Sequence, residues 1–326
     1  MLAGDMYAPG KIRLIDVPEP ALSPAPPDGC SGQIIFQPET TCLCGSDLPY
    51  FGGSDEWPIE VGHSLHEMIG TVVATNGRRW KAGDRVLAVP VMQQGLMERF
   101  VLDENRAIPI DLRVPEEQAL MAQPLGTALF ALKKLPNMLD RTVAIIGQGP
   151  MGQLINACLR NMGARQIIGI DLLASRLKLS PQMGATATVC NAKESPVAAV
   201  REILGGELPD VVIECVGHAN HAFNLSIELC SQNGQLLFFG VPDNRVDGLH
   251  WKDLFYKNVT VFTSVNPDFR KDFPLAMQFI GEGRINVAPI ITHRFPLAQL
   301  QTAFETFRDR VDGACKVLVE FPSRRP

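Results

Sequence analysis

Residues with metal-ligand chemistry lie in three short segments of the N-terminal part of the chain. They are Cys44, Ser46 and Asp47 in the first segment, His63, His66 and Glu67 in the second, and Gln123 in the third. A thiolate, an imidazole and a carboxylate from separate segments can bind zinc and leave its fourth position open to water or substrate, as catalytic zinc requires. Such a zinc acts as a Lewis acid that brings the pKa of an alcohol down from about 16 toward neutrality. The three segments therefore predict a catalytic metal site.

A second stretch, residues 142–171, has the spacing of a dinucleotide-binding unit. The apolar run 143–146 predicts a buried parallel strand, and Gly147, Gly149 and Gly152 follow at G-x-G-x-x-G spacing. The first glycine permits a tight turn, the second lets the pyrophosphate approach the backbone, and the third lets helix and strand pack closely. An amphipathic helix then begins at Pro150 and Met151, and its N-terminus offers free N–H groups to the phosphates.

The acid at the end of the next strand indicates which dinucleotide is bound. Asp171 is placed to accept both hydroxyls of the adenosine ribose, and its charge would repel the 2′-phosphate of NADP. Residues 172–174 offer no cation, so NAD is favoured over NADP. Arg176 begins the following helix, where we expect it to stack along the adenine or to pair with solvent. Gly217, after a later strand, is also expected at the cofactor.

Composition limits the class of protein. The chain has 326 residues, enough for two ordinary domains, and is 46% apolar and 20% charged. A net charge of −5 gives no reason to expect nucleic acid or an anionic membrane as a partner. No apolar run is long enough to span a membrane, and the first residues do not resemble a signal peptide. The eight cysteines lack framework spacing, so we expect a cytoplasmic protein.

The pattern of secondary structure changes along the chain. Residues 1–124 contain short strand-like runs broken by Pro and Gly, which predicts a mostly antiparallel barrel or sandwich. Residues 125–264 alternate strand and helix patterns, which is typical of a doubly wound parallel sheet. Residues 265–326 return to the first pattern. The nucleotide domain is therefore predicted to be inserted into the other domain, with the active site in the cleft between them.

These motifs, in this order, resemble the zinc-dependent medium-chain dehydrogenases, the family of alcohol, sorbitol, threonine and glucose dehydrogenases. C-G-S-D at 44–47 is similar to the first zinc motif, H-E-x-x-G-x-V at 66–72 to the second, and G-Q-G-P-M-G at 147–152 to the cofactor loop. The likeness covers essentially the whole chain. It implies an α/β protein in which a Rossmann domain is inserted into a mostly-β, GroES-like catalytic domain.

The resemblance also implies a role for each motif residue. Cys44 and His66 would ligate zinc, and Glu67 would be a ligand or an exchanging ligand. Asp47 would accept a hydrogen bond from the free imidazole nitrogen of His66 and so fix its tautomer. Ser46 would take the proton of the substrate and pass it outward.

The chain departs from the family pattern beside the metal histidine. The family usually has Gly directly before that histidine, but here Leu65 precedes His66 while Gly62 precedes His63. The spacing to Gly70 selects His66 as the ligand. His63 is then expected to be a loop histidine near the site.

Two further departures concern the proton and the metal charge. Pro49 occupies the place of a histidine that often completes the proton relay, so the final base stays open. Gln123 stands where polyol dehydrogenases have Glu. Zn²⁺ with Cys44 and Glu67 sums to zero charge, and a neutral Gln123 would preserve that balance while its amide oxygen could still reach the metal. Whether Glu67, Gln123 or water completes the shell stays open.

A four-cysteine structural zinc site is not expected, because no cysteine occurs between Cys44 and Cys158. One zinc per chain is therefore predicted. Tyr50, Phe51 and Trp57 either line the substrate pocket or pack in the barrel. His218 and His221 are expected to be solvated at a helix start rather than catalytic.

The predicted function is hydride transfer between NAD(H) and a secondary alcohol or ketone, with a polyol or sugar-derived substrate favoured. One alternative is a metal-free NADPH-dependent quinone or enoyl reductase on the same scaffold. Another is a non-catalytic nucleotide-binding redox sensor. A homodimer or homotetramer is typical of the family, and the strand pattern near 259–265 has the character of an exposed edge that could pair with a second copy.

Overall fold

The computed structural model describes residues 1–25, 30–53, 58–217, 220–243 and 245–322. Trp57 and His218, singled out above, lie outside these ranges. The chain divides into two compact units, one formed by Met1–Ala122 with Ile291–Pro326 and the other by Gln123–Ile290. Within the described ranges, no helix combines the length and the apolar character needed to cross a membrane.

Fifteen strands are present in the described residues. They are β1 (Leu2–Ala8), β2 (Lys11–Asp16), β3 (Gln33–Cys42), β4 (Glu67–Thr75), β5 (Arg85–Ala88), β6 (Phe100–Asp103), β7 (Ala107–Pro109), β8 (Thr142–Ile146), β9 (Gln166–Asp171), β10 (Ala187–Cys190), β11 (Val211–Glu214), β12 (Gln235–Phe238), β13 (Thr260–Thr263), β14 (Ile291–Pro296) and β15 (Lys316–Glu320).

The α-helices of the same residues connect or cover these strands. They are α1 (Leu48–Gly52), α2 (Glu116–Leu120), α3 (Ala122–Leu132), α4 (Pro150–Asn161), α5 (Ala174–Leu177), α6 (Pro196–Ile203), α7 (Asn220–Leu229), α8 (Trp251–Tyr256), α9 (Phe269–Gly281) and α10 (Leu300–Asp309).

The first unit is mostly β. Its larger sheet has the order β14-β15-β3-β4-β5-β7, with β6 also paired to β3, and β1 and β2 form a separate hairpin. All of these pairings are antiparallel except the parallel pair β14-β15. The core includes Ile34 and Phe36 from β3, Phe100 from β6 and Phe304 from α10. β3 alternates buried and half-buried positions along most of its length, as expected for a strand with one face on a core.

The second unit is a doubly wound parallel sheet in the order β10-β9-β8-β11-β12-β13. Central strands such as β8 and β11 are buried throughout, which explains their unbroken apolar runs. The direction of winding reverses between β8 and β11, and ligands of such sheets bind beyond the carboxyl ends of the strands at that point. The predicted fold class, a doubly wound domain with a mostly-β GroES-like domain, is confirmed.

The second domain boundary differs from the predicted one at 264/265, because residues 265–290 belong to the second unit. Helix α9 packs tightly against α3 there. A Cβ added to Gly126 of α3 would lie 2.4 Å from Phe273 Cδ1 and 2.9 Å from the carbonyl oxygen of Asp272. Lys133 pairs with the buried Asp272 at 2.6 Å. The strand and helix alternation stops after β13, so the sequence pattern did not indicate this packing.

Candidate metal centre and cofactor site

Cys44 is positioned by a tight turn that follows β3. The residues after it, Gly45–Asp47, form a 3-10 turn that leads directly into α1. The Cys44 N–H donates to Asp47 Oδ2 at 2.7 Å. Pro49 lies in the first turn of α1, where the missing N–H of proline carries little cost.

Asp47 holds the histidine-bearing loop to this turn. Its other oxygen, Oδ1, accepts hydrogen bonds from the hydroxyl of Ser64 at 2.7 Å and from the N–H of Leu65 at 2.9 Å. Both loop residues have positive φ values, 110° and 63°, which non-glycine residues adopt only when their surroundings hold them there. The structure thus gives Asp47 a task beyond the predicted one, since its hydrogen bonds fasten backbone and hydroxyl groups of the turn and the loop. That Asp47 also fixes the tautomer of His66 stays a prediction.

A group of three metal-ligand donors results. The ligand atoms of Cys44, His66 and Glu67 all lie within 4.8 Å of one another, and His63 is not a member of this group. Burial would lower the pKa of His66, but the hydrogen bond and charge of Cys44, with the charges of Asp47 and Glu67, outweigh it and raise that pKa to about 9. The anionic neighbours of His66 therefore favour a positive charge at this place, which a bound cation would supply. A sulfur, a nitrogen and a carboxylate oxygen at this spacing suit zinc.

Glu67 has two partners that the sequence analysis did not foresee. Lys316, which is 1% exposed, forms a buried ion pair with Glu67 Oε2, and the Cys42 thiol donates to the same oxygen at 2.6 Å. Burial, together with the charge of Glu67, raises the pKa of Cys42, so that residue is a neutral thiol. Burial would lower the pKa of Lys316, but the charge of Glu67 and its hydrogen bond outweigh it and raise the pKa, so this lysine stays charged.

Lys316 changes the charge balance assumed from the sequence. With Zn²⁺, the Cys44 thiolate, the Glu67 carboxylate and the Lys316 ammonium together, the formal charge is one unit positive rather than zero. The signal in the sequence was a lysine at the start of the otherwise apolar run 316–319, all of which is buried. Buried lysines are rare unless paired. An acidic partner could therefore have been expected.

Gln123 lies in the second unit and is 4% exposed. Its backbone carbonyl oxygen accepts a hydrogen bond from the Thr127 hydroxyl at 3.1 Å, one turn further along α3. Its approach to the metal stays a prediction.

Other predicted residues of the first unit have distinct environments. Ser46 Oγ is buried and has no hydrogen-bond partner among the described residues. The Tyr50 ring meets the His63 ring edge-on, with centroids 4.3 Å apart. Phe51 is fully buried and packs on Phe304 at 5.0 Å between centroids, so it is a core residue rather than a pocket residue.

The glycine loop shows why two of its three glycines are needed. Gly147 has φ of 93°, and a Cβ there would lie 3.1 Å from the backbone of Cys215. A Cβ at Gly152 would lie 1.9 Å from the carbonyl oxygen of Gly147, so no side chain fits between α4 and β8. At Gly149 the nearest atoms are those of the Arg176 guanidinium at 3.7 Å, an ordinary contact. Packing therefore does not require glycine at this position, and the close approach of a pyrophosphate to Gly149 stays a prediction.

Asp171 lies at the end of β9 beside this loop. Its Oδ2 accepts the N–H of Gln148 at 2.7 Å and its Oδ1 accepts the N–H of Leu173 at 2.8 Å. Each carboxylate oxygen has a further lone pair that a ribose hydroxyl could use. Arg176 lies 3.6 Å from Asp171 Oδ2 and beside Gly149, with its side chain 19% exposed. The guanidinium thus faces the cofactor loop rather than solvent.

A buried amide network beneath the loop was not anticipated. The side-chain oxygen Oε1 of Gln148 accepts hydrogen bonds from Asn156 Nδ2 at 2.7 Å and from the Ser180 hydroxyl at 2.8 Å. Gln153 Nε2 donates to the backbone carbonyl oxygen of Gln148 at 3.0 Å. Gly169 makes room for the Gln148 side chain, since a Cβ there would lie 2.7 Å from its Cδ. The polar residues on the buried side of α4 were the available signal.

Gly217 is held in place by the buried carboxylate of Glu214 at the end of β11. Glu214 Oε1 accepts the N–H groups of Val216 at 2.7 Å and Gly217 at 3.0 Å, and Oε2 accepts that of Gly240 at 3.3 Å. Gly217 has φ of 64°, and a Cβ there would lie 2.5 Å from the Val241 oxygen. Burial raises the pKa of Glu214. Since β11 borders the reversal point of the sheet, Glu214 shapes one wall of the region where a dinucleotide is expected.

Sequence comparisons agree with this arrangement. Residues 31–107 match the family model described as alcohol dehydrogenase GroES-like domain, and residues 150–282 match that described as zinc-binding dehydrogenase. The chain is 32% identical to the L-threonine 3-dehydrogenase of Bacillus subtilis (strain 168), over 89% of this chain and 91% of that protein. It is 28% identical to the sorbitol dehydrogenase of Rattus norvegicus, over 92% and 91% of the two chains.

A solved structure shares the whole fold. The alcohol dehydrogenase TADH from Thermus sp. ATN1 superimposes with a TM-score of 0.86 at 23% identity, covering 98% of this chain and 99% of that chain. The identity to the Bacillus subtilis protein extends over nearly the full length of both chains. The chain therefore belongs to the zinc-dependent medium-chain dehydrogenase family, as its motifs predicted.

Proposed function

We propose that the protein is a zinc- and NAD-dependent dehydrogenase that interconverts a secondary alcohol and a ketone, with a polyol or sugar-derived compound as substrate. The observation that carries this proposal is the group of Cys44, His66 and Glu67 donors within 4.8 Å of one another. The names of the sorbitol and threonine dehydrogenases among its relatives support a substrate with several polar groups.

One zinc ion would be held by Cys44 and His66, and Glu67, Gln123 or water would complete its shell. When bound, the ion would supply a Lewis acid that makes a substrate hydroxyl more acidic. The Asp47 carboxylate accepts the N–H groups of Cys44 and Leu65 and so fixes the two loops whose Cys44 and His66 would hold the ion. A pre-positioned site of this kind avoids the entropic cost of assembling reactants.

Ser46 is the proposed acceptor of the substrate proton. Its hydroxyl oxygen is buried and unpartnered among the described residues, so it has a lone pair available. Pro49 cannot pass the proton onward, so we propose that water carries it from Ser46 to the exterior. NAD, which the glycine loop and Asp171 would hold, would supply the hydride acceptor.

NAD rather than NADP is the proposed cofactor. Asp171 keeps lone pairs for the ribose hydroxyls, and a 2′-phosphate beside it would meet a negative charge. Arg176 lies 3.6 Å from that carboxylate and offsets part of the charge. We therefore expect a preference for NAD, with some residual use of NADP.

Two alternatives are less well supported. A metal-free quinone or enoyl reductase would not need a thiol, an imidazole and a carboxylate brought together. A non-catalytic redox sensor is not favoured either, since the relatives are named as dehydrogenases.

A substrate panel tests the proposal. The zinc-loaded protein should reduce NAD in the presence of secondary alcohols and polyols, measured by NADH absorbance, with kcat/KM for NAD at least about tenfold above that for NADP. No turnover with any alcohol, in protein that holds zinc, would contradict the proposed activity.

We further propose that the protein is a homo-oligomer, a dimer or a tetramer, and acts on small molecules. A cytoplasmic location is proposed because all eight cysteines are free.

A further inference from the structure

We propose that His63 determines substrate specificity by hydrogen bonding to a second hydroxyl group of the substrate. The protein would then prefer a diol or polyol with adjacent hydroxyls over a simple secondary alcohol. This inference rests on the proposed dehydrogenase function and names the substrate class of that site.

The first observation is a buried polar atom without a partner. His63 Nε2 is buried, and no hydrogen-bond partner for it lies among the described residues. A buried polar group without a partner lowers the stability of the folded protein. Such a group in a native protein calls for an explanation, and a ligand that arrives later is one.

The second observation is that the His63 loop is fixed in place. The N–H of Gly62 donates to the Gly4 oxygen at 2.8 Å, and the N–H of Ser64 donates to the Gln93 oxygen at 2.7 Å. The Asp47 carboxylate accepts the Ser64 hydroxyl and the N–H of Leu65. Hydrogen bonds on both sides therefore restrict the backbone from which His63 extends, so its unpartnered nitrogen is not explained by a loose loop.

The third observation ties this loop to the proposed metal centre. The Asp47 carboxylate that holds Ser64 and Leu65 also accepts the N–H of Cys44. The His63 ring meets the Tyr50 ring edge-on at 4.3 Å, and Tyr50 belongs to α1, which directly follows the Cys44 turn. His63 thus stands at the junction of the two segments that carry the sulfur and imidazole donors.

Ser46 and His63 can contact different groups of one substrate. Oxidation of one hydroxyl needs one proton acceptor, and Ser46 Oγ is available for it. His63 Nε2 is then a spare polar group at the same pair of loops. A second hydroxyl suits it, because a hydroxyl can both donate and accept and so satisfies either tautomer of a neutral imidazole. A monohydric alcohol would leave this nitrogen unsatisfied.

Two variants of His63 separate hydrogen bonding from packing. His63→Phe keeps a ring beside Tyr50 but removes the polar nitrogen, while His63→Gln keeps a polar terminus without the ring. Their kcat/KM should be measured with 2,3-butanediol and with 2-butanol, which differ by one hydroxyl, together with the zinc content of each protein.

We expect His63→Phe to lower kcat/KM for the diol by about 10- to 100-fold, mainly through KM, since one hydrogen bond to the substrate is lost. Turnover of 2-butanol and zinc content should stay near the wild-type values, and His63→Gln should recover much of the activity on the diol.

Equal losses on both alcohols in His63→Phe, or a wild-type enzyme that does not prefer the diol, would overturn the role of His63 while leaving the dehydrogenase function intact. Loss of zinc in both variants would instead assign His63 a purely structural role and overturn the inference. A wild-type protein inactive on both alcohols would overturn the proposed function and this inference with it.

Discussion

At the scale of single residues, the buried ion pair between Lys316 and Glu67 sets the charge behind the metal donors. Both side chains are almost fully buried, at 1% and 3% exposure. Removing one partner of such a pair leaves an uncompensated charge in the interior, which costs about 3–5 kcal/mol. The pair therefore binds β15 to the start of β4 as well as tuning the site.

Lys316→Met should lower the free energy of unfolding of the metal-free protein by about 3–5 kcal/mol, measured by urea denaturation in the presence of a chelator. The double variant Glu67→Gln with Lys316→Met removes both charges and should recover a large part of the loss. Unfolding of Lys316→Met within about 0.5 kcal/mol of wild type would show that the pair is not needed to balance Glu67.

The same residues show how far sequence reasoning reaches. Cys44, His66 and Glu67 were identifiable because each motif is local, a few residues long, and chemically distinctive. Lys316 was not, because it lies 249 residues beyond Glu67 and meets it only through the pairing of β15 with β3. Long-range pairing of this kind is not encoded in any short stretch of sequence.

At the scale of elements, a single carboxylate joins three segments of the first unit. Glu104 is buried and accepts the N–H groups of Gly32 at 2.8 Å, Arg78 at 3.0 Å and Arg79 at 2.8 Å. Burial would raise the pKa of Glu104, but these backbone hydrogen bonds outweigh it and lower the pKa. The ionised form is thus the one that holds the segments together.

This shift predicts a pH dependence of stability. Because the pKa of Glu104 is lower in the folded state than in the unfolded state, its contribution is present above the unfolded value and is lost as pH falls through the folded value. Glu104→Gln should therefore destabilise the protein by about 1–3 kcal/mol near neutral pH. The difference from wild type should shrink on acidification.

Urea unfolding at about pH 7 and about pH 3.5, followed by tryptophan fluorescence, measures this difference. Asp16→Asn, which changes an exposed carboxylate of the same unit, serves as the control and should have little effect at either pH. A Glu104→Gln deficit that is equally large at both pH values would contradict the assignment.

The type of a helix or strand was predicted more reliably than the domain to which it belongs. The buried strands β8 and β11 follow from apolar runs, and the glycine loop follows from its spacing. The sequence pattern predicts helix α9 in the first domain, whereas the helix belongs to the second unit and packs on α3 at Gly126. This packing depends on the absence of a side chain at Gly126, which the pattern does not reveal. A glycine inside a helix gives little indication of what approaches it.

At the scale of the whole molecule, the parallel sheet ends in a strand that is paired on one side. β13 is the last strand of the sheet, and three of its four residues are exposed, among them Val261 at 38%. Trp251, Phe255 and Tyr256 of α8 are exposed as well, at 63%, 64% and 66%. An unpaired edge strand is a template for pairing with another chain, and a two-fold axis would make the contact self-complementary.

Val261→Lys should weaken this assembly, because like charges would face each other across the axis. The wild-type protein is expected to have the mass of a dimer or tetramer in light scattering coupled to gel filtration, and the variant a smaller mass. Thr188→Lys places the same charge at an exposed position on the opposite edge strand, β10, and should leave the mass unchanged. An unaltered mass in Val261→Lys would exclude this edge as the interface.

The zinc content of Cys44→Ser tests the central claim most directly. Metal analysis of the wild-type protein should give about one zinc per chain, and Cys44→Ser should lose most of it together with nearly all turnover, because a serine hydroxyl replaces the thiolate ligand. Cys30→Ser, at an exposed cysteine, should keep both. A Cys44→Ser protein with wild-type zinc, or a metal-free wild-type protein that still oxidises alcohols, would contradict the account.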